Sequence, residues 1–361
     1  MDLREALTGA VVMAPMTKGS NLPYRRLCVE LGARVTVSEM AVARRLKQRR
    51  QGEYALIRRF PGEPCFGVQL AGKDPAEMAW AAALVEARGA DFVDVNLGCP
   101  IDAFTRKGLG AALGRRVSRV REIVEAMVGG VQRAPVTVKI RLGWDSRSRN
   151  YLDLARAAVE GGAAAVFVHG RTRDARYRQA ADWDAVGEVA AAVPVPVVGN
   201  GDLLFPHEIE AARRRAGCAG VMVARGALIK PWIFREAATG VAEDPDAEAR
   251  VALCRRYVEL AAAHWGSDDH GRARVREFLR WHLGVLCRYR PPRADGTFPT
   301  MQARDTEFVP RTALEGLLAR ADDAALDYLA DRLVAGEAVD PAFAPEPSAA
   351  PVQNGEPIVQ G

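Results

Sequence analysis

The sequence predicts a parallel α/β protein, a (β/α)8 TIM barrel followed by a small C-terminal all-helical domain. Three observations lead there. Eight short runs rich in Val, Ile and Ala recur about every 25–45 residues; they lie at 10–16, 35–40, 65–70, 92–97, 136–141, 165–169, 195–200 and 220–224. Amphipathic segments separate them, as at 75–88, 117–127, 151–160 and 206–215, with Gly89, Gly161-Gly162 and Gly217 where helices end. Beyond residue 242 the strand-like runs cease, and apolar positions recur at three- and four-residue spacing in 253–264 and 275–288.

Each element has its own reason. The first run stops at Pro15, which has no N–H for a sheet. The second leads into Ser38-Glu39-Met40, and the fourth is halted by Pro100 directly after Cys99. Most runs are continuously apolar, as expected when a parallel sheet is covered on both faces. A doubly wound sheet would place a glycine fingerprint after the first strand, and Met13-Ala14-Pro15-Met16 is not one. The barrel is therefore assigned to residues 1–241 and the helical domain to 242–335. The Pro/Ala-rich stretch 336–361 is expected to be a disordered tail.

At 361 residues, 49% hydrophobic and 26% charged, the composition is that of a globular protein. Apolar runs fall short of a membrane helix, and Met1-Asp2-Leu3-Arg4-Glu5 is no signal peptide, so no membrane partner is expected. Six scattered cysteines without a CxxC pair argue for a reducing, cytoplasmic setting and against structural zinc. Net charge +5 with pI ≈ 9.0 hints mildly at a polyanionic partner. Only six of the 50 basic residues are lysines, so Lys139, inside a strand, is a candidate for a role that guanidinium geometry cannot fill.

Barrel sites are built at the carboxyl ends of strands. Here those ends read Ala14-Pro15-Met16-Thr17, Ser38-Glu39-Met40, Gln69, Asn96-Leu97-Gly98-Cys99-Pro100, Lys139-Ile140-Arg141, His169-Gly170-Arg171, Asn200-Gly201-Asp202 and Ala224-Arg225-Gly226. So many polar groups on one rim imply a polar ligand, because burying them unpaired is costly. The last two ends suit a phosphate: glycines admit close backbone approach and Arg225 adds a charge-assisted bond. Lys139 can face the electron-rich edge of a reduced flavin. Farther on, Arg272, Arg276 and Arg280 form an i, i+4, i+8 stripe, either a solvated face or a phosphate-contacting surface. Gly108-Leu109-Gly110-Ala111-Ala112-Leu113-Gly114 is one residue off a dinucleotide fingerprint, and His264 and His270 lack partners at ligand spacing. No metal is expected.

The chain resembles the tRNA-dihydrouridine synthases over residues 8–335. The likeness rests on Met13-Ala14-Pro15-Met16, Gly67-Val68-Gln69-Leu70, Asn96-Leu97-Gly98-Cys99-Pro100, Lys107-Gly108-Leu109-Gly110-Ala111-Ala112-Leu113 and Lys139-Ile140-Arg141. It continues in His169-Gly170-Arg171-Thr172-Arg173, Ala181-Asp182-Trp183, Gly199-Asn200-Gly201-Asp202 and Ala224-Arg225-Gly226-Ala227. Pro100-Ile101-Asp102, Lys230-Pro231-Trp232 and His264-Trp265-Gly266-Ser267-Asp268 are most similar to the eukaryotic-type branch acting on the tRNA variable loop. With the first strand almost at Met1, no counterpart of that branch's zinc-finger N-terminus is expected. Ala175 and Gln179-Ala180 depart from the family pattern, in a loop expected near RNA or flavin.

The resemblance implies FMN at the barrel mouth, with Pro15, Met16, Thr17, Gln69, Lys139 and His169 around ring and ribityl chain. The phosphate would rest on Asn200, Gly201, Asp202, Ala224 and Arg225. NADPH would be a transient hydride donor and tRNA, or another structured RNA, the substrate. Hydride would pass from flavin N5 to uracil C6, and Cys99 would protonate C5 as general acid, the role that suits a thiol protonated at neutral pH. Asn96, Arg141, Arg171, Arg276 and Arg280 are the expected substrate contacts, on a monomeric protein. The alternatives are a flavin-dependent dehydrogenase of free pyrimidines, which leaves the Arg-rich helical part without a reason, and a catalytically inactive tRNA-binding protein.

Overall fold

The computed structural model describes residues 2–301 and 308–343. Nine parallel strands run in chain order: β1 (Val11–Met13), β2 (Val35–Val37), β3 (Ala41–Val42), β4 (Cys65–Ala71), β5 (Phe92–Leu97), β6 (Val136–Arg141), β7 (Ala165–His169), β8 (Val197–Asn200) and β9 (Gly220–Val223). Sequential neighbours pair from β4 to β9, β9 pairs with β1, and β1 with β2. Direct pairing of β2 with β4, Val35 opposite Cys65 and Val37 opposite Gly67, closes a ring of eight. β3 lies outside that ring, against the end of β4 with Ala41 opposite Leu70.

The second run is therefore shorter than its apolar pattern suggests. It stops at Val37, Ser38 N–H bonds the Gly67 carbonyl, and the Ser38 hydroxyl accepts the Gln69 N–H. The first run likewise ends at Met13, just before Ala14-Pro15. Every residue of β4 to β9 is buried, the physical basis of their unbroken apolar character. At Gly67 a Cβ would stand 2.2 Å from the Phe92 ring, so the missing side chain makes room for that ring.

Helices follow the strands, and two of them begin on aspartate caps. Asp74 accepts from Glu77 N at 2.9 Å ahead of Pro75–Ala87, and Asp182 from Ala185 N at 3.0 Å ahead of Trp183–Ala192. After the ring come the helices Ala247–Trp265, Asp269–Leu286, Ala313–Leu318 and Asp323–Ala335. The helix Asp269–Leu286 docks on the helix Leu22–Glu30 and the exit of β9. There the Tyr24 hydroxyl donates to the Ala227 carbonyl at 2.8 Å and lies 3.1 Å from His282 Nε2. The C-terminal helices thus share one apolar core with the barrel.

Arg276 and Arg280, expected as substrate contacts, are placed differently. Arg276 pairs with Asp331 at 2.5 Å and Asp327 at 2.9 Å; Arg280 pairs with Asp327 and Asp323, both at 2.7 Å. Two rows at four-residue spacing thus meet as a ladder between helices, which neutralises the stripe's charge. Most of the predicted tail, residues 344–361, lies outside the described residues. No helix of the described residues is long and apolar enough to cross a membrane.

Candidate active site

β5 carries the centre of the site. Asp94 and Asn96 sit two residues apart and face the same way, into the barrel. Asp94 accepts from Gln69 Nε2 at 2.7 Å and from the Thr137 hydroxyl at 2.8 Å. Gln69 Oε1 in turn accepts from Asn96 Nδ2 at 2.7 Å, and Asn96 Oδ1 receives the backbone N–H of Cys99 at 2.9 Å. A buried relay thus runs from β6 and β4 to the thiol loop. Burial pushes the Asp94 carboxyl up to about 6, so at neutral pH it is an anion and accepts both bonds.

Two further groups hold the same loop. Arg141 Nε donates to the Gly98 carbonyl at 2.9 Å and its Nη1 to the Thr172 carbonyl at 3.1 Å. On the other side, Ala111 N donates to the Cys99 carbonyl at 3.0 Å from the turn Gly110–Arg115. The Cys99 thiol is buried, and burial pushes its pKa above the ordinary thiol value against the opposing pull of Arg141 and Lys139. The sulfur is a protonated acid at neutral pH.

The opposite half of the mouth is cationic. Lys139, Arg141, Arg171 and Arg225 are all buried. Asp202 pairs with Arg171 at 2.5 Å and Arg225 at 3.0 Å, and also takes the Ala181 N–H. Among the described residues Lys139 reaches only the Asn200 Oδ1, at 3.4 Å, and burial with the nearby Arg141 charge pulls its pKa down to about 7. His169 is held neutral by burial and the surrounding cations. Its Nε2 lies 3.3 Å from Arg171 Nη1, and arginine can only donate, so Nε2 is the acceptor and Nδ1 bears the proton. That Nδ1, like Arg141 Nη2, has no partner among the described residues. Tyr177 covers Arg225 at 3.9 Å. Between them is a narrow recess, with about 20 Å³ open to water, lined by His169, Asn200, Gly201 and Arg225 among others. A cluster with excess positive charge and orphaned buried donors fits an anionic, phosphorylated ligand.

A family model described as "Dihydrouridine synthase (Dus)" matches residues 12–285. The chain belongs to the dihydrouridine synthase family. Among curated relatives, the mouse "tRNA-dihydrouridine(47) synthase NAD(P)(+)-like" protein is 42% identical over 287 residues, 79% of this chain and 45% of that one. Its human counterpart is 40% identical over 322 residues, 88% of this chain and 49% of that one. The enzyme of Coprinopsis cinerea is 38% identical over 329 residues, 87% and 49%. The chain thus spans about half the length of the curated relatives it matches. Among solved structures, a 2-naphthoyl-CoA reductase complex matches at 12% identity and TM-score 0.48, over 64% of this chain and 50% of that one.

In this member of the dihydrouridine synthase family the structure brings Gln69, Asn96, Cys99, Lys139, His169, Asn200, Gly201, Asp202, Ala224 and Arg225 to one mouth. Pro15 and Met16 are buried on the β1 side, where Met16 N donates to the Ser20 hydroxyl at 2.8 Å, while Thr17 is exposed. Two expected substrate contacts are displaced inward. Arg141 and Arg171 are buried against carbonyls of 98, 172 and 179 and the Asp202 carboxylate, where they hold loops. Gln69 has both ends of its amide engaged in the relay. Sequence reasoning missed Asp94, although an aspartate inside an apolar strand was itself a signal.

Gly110 is the position where the loop tolerates no side chain. Its φ is 59°, and a Cβ would stand 2.7 Å from the Cys99 carbonyl oxygen and 2.9 Å from Cys99 Cβ. Gly110→Ala is expected to keep cofactor content and slow the reaction roughly 100-fold by displacing the thiol. Comparing the flavin absorbance of the purified variant with its single-turnover rate checks this; an unchanged rate refutes it.

Proposed function

We propose that this protein is an FMN-dependent tRNA-dihydrouridine synthase using NADPH, and that it reduces the uridine at position 47, the position in its relatives' names. The reading is carried by one observation: a protonated thiol, held by Asn96 and Arg141, faces a buried cation cluster that calls for an anionic ligand. Arg225 and the backbone of 200–202 and 224 would hold the FMN phosphate; Lys139 and His169 would face the ring system, with Pro15, Met16, Thr17 and Gln69 at its other side. Gly201, at φ 140°, has backbone that a side chain would strain and shield.

When bound, FMN supplies the hydride that adds at C6 of uracil. Cys99 gives its proton to C5, so that the C5=C6 double bond gains one hydride and one proton. The thiolate left behind is stabilised by Lys139 and Arg141 and regains a proton from solvent. Asn96 keeps the loop in register and is a positioning residue. The division into a barrel, 1–241, and a helical part, 242–335, a monomeric state and a cytoplasmic setting belong to the same proposal. The six cysteines, all buried thiols, suit a reducing compartment.

The test uses the purified holoprotein. It should be yellow, bleach with NADPH, and reoxidise faster with unmodified tRNA than with buffer. Mapping dihydrouridine in RNA from cells with and without the protein should then show a loss at position 47. Turnover with free uracil or orotate but not with tRNA would move the assignment to free pyrimidines.

A further inference from the structure

We propose that the cleft beside the Cys99 loop, lined by Lys73, Arg106, Lys107, Arg115 and Arg116, is the seat for RNA backbone phosphates flanking the reacting uridine. The inference rests on the tRNA reading above and locates its interface on the barrel's own rim.

The cleft is open, about 1070 Å³, and lies between the exit of β4 and the segment after β5. Its five cations are exposed, and none makes an ion pair with a carboxylate among the described residues. The acids nearest in sequence are already engaged. Asp74 caps its helix through Glu77 N, Asp102 pairs with Arg173, and Glu122 pairs with Arg119. On the C-terminal helices, by contrast, the four arginines Arg256, Arg272, Arg276 and Arg280 each hold a carboxylate. Uncompensated charge gathered in one concave place is a site for polyanions, whereas a compensated ladder is a structural clasp.

The cleft is also tied to the chemistry. Its wall is the chain that leaves Cys99 through Pro100, passes Arg106 and Lys107, and returns at Gly110–Arg115. That returning turn donates Ala111 N–H to the Cys99 carbonyl at 3.0 Å. Lys73 closes the other wall, its ammonium donating to the Lys107 carbonyl at 3.1 Å. At the upper edge the half-exposed Trp144 ring lies between two guanidinium groups, Arg115 at 5.1 Å and Arg173 at 4.5 Å. Forked arginines at the margin match phosphate geometry. A strand laid along this cleft would run next to the proton donor.

The test is the salt dependence of tRNA binding by the holoprotein. The variant R106A/K107A/R115A/R116A should bind tRNA roughly 10²- to 10³-fold more weakly at about 0.1 M salt, with a log–log salt slope reduced by about 3. Its KM for tRNA should rise while kcat at saturation and NADPH-driven flavin bleaching stay unchanged. The conservative variant R106K/R115K/R116K should regain most of the slope, which separates lost charge from lost fold. In parallel, R276A/R280A should lower Tm by about 2–8 °C through loss of the ladder and leave the salt slope intact. An unchanged slope in the quadruple variant, in a protein that still forms dihydrouridine, overturns the cleft and leaves the function standing. A slope lost only in R276A/R280A also overturns it. A wild-type holoprotein that binds no tRNA at any salt concentration overturns both.

Discussion

Replacing Cys99 with alanine is expected to leave the cofactor bound and to slow uridine reduction by about 10²- to 10⁴-fold, the usual worth of a positioned general acid. The Cys99 loop is held by backbone bonds to Asn96 and from Arg141 and Ala111 that do not use the sulfur, and the thiol's own bond is with the Ile101 backbone of the same loop. Cys99→Ser preserves shape but offers a far weaker acid, so it should recover little of the rate. The pH profile gives a second readout. An acid works while protonated, and burial places this thiol above its ordinary value, so the wild-type rate should persist through mildly alkaline pH and fall only above the normal thiol range. Stopped-flow reoxidation of the NADPH-reduced protein by tRNA measures both. A C99A protein that loses flavin, yet whose reconstituted form reacts at the wild-type rate, would assign the cysteine to packing.

Lys139→Met is expected to weaken FMN binding by about 100-fold, since it removes a buried ammonium that would donate to the electron-rich edge of the ring. The companion result is a proton linkage. In the cofactor-free protein burial and the Arg141 charge pull the ammonium down to about 7, whereas a bond donated to the electron-rich ring edge favours its charged form. Below pH 7 the lysine is already charged and binding takes up no proton. Above pH 7 binding must take one up, so FMN affinity of the wild-type apoprotein should fall by up to about tenfold per pH unit. The methionine variant has no such proton and its affinity should be flat in the same range. Titration of apoprotein with FMN, followed by flavin fluorescence from pH 7 to 9, reads both. Equal slopes for the two proteins would remove Lys139 from the cofactor site.

The candidate rim that holds both residues was legible in the sequence because a barrel gathers its strand ends in one place. Strands buried on both faces produce continuous apolar runs, so a thiol stopped by Pro100, or a lysine in an arginine-rich chain, stands out at their ends. The relay beneath them was less legible. Gln69 reads as a cofactor contact from its position, but which partner its amide takes depends on β5 lying beside β4, with Gln69 opposite Asp94. Arg141 and Arg171 stand at strand ends like true ligand contacts; only the folded loops bring carbonyls and Asp202 to them.

The arginine stripe shows the division most clearly. Periodicity alone put Arg276 and Arg280 on one helical face, and Asp323, Asp327 and Asp331 repeat at the same spacing. That the two rows face one another is a fact of helix packing, absent from either row. By itself the sequence determined the barrel, its order of strands and the chemical inventory of its rim, because these follow from local periodicity and from where the chain must turn. The tertiary structure decided which charges are cancelled and which are left over, because electrostatic pairing depends on distances between segments far apart in the chain. It pairs the arginines of the helical stripe with aspartates and leaves the cations of the cleft beside Cys99 without carboxylate partners among the described residues.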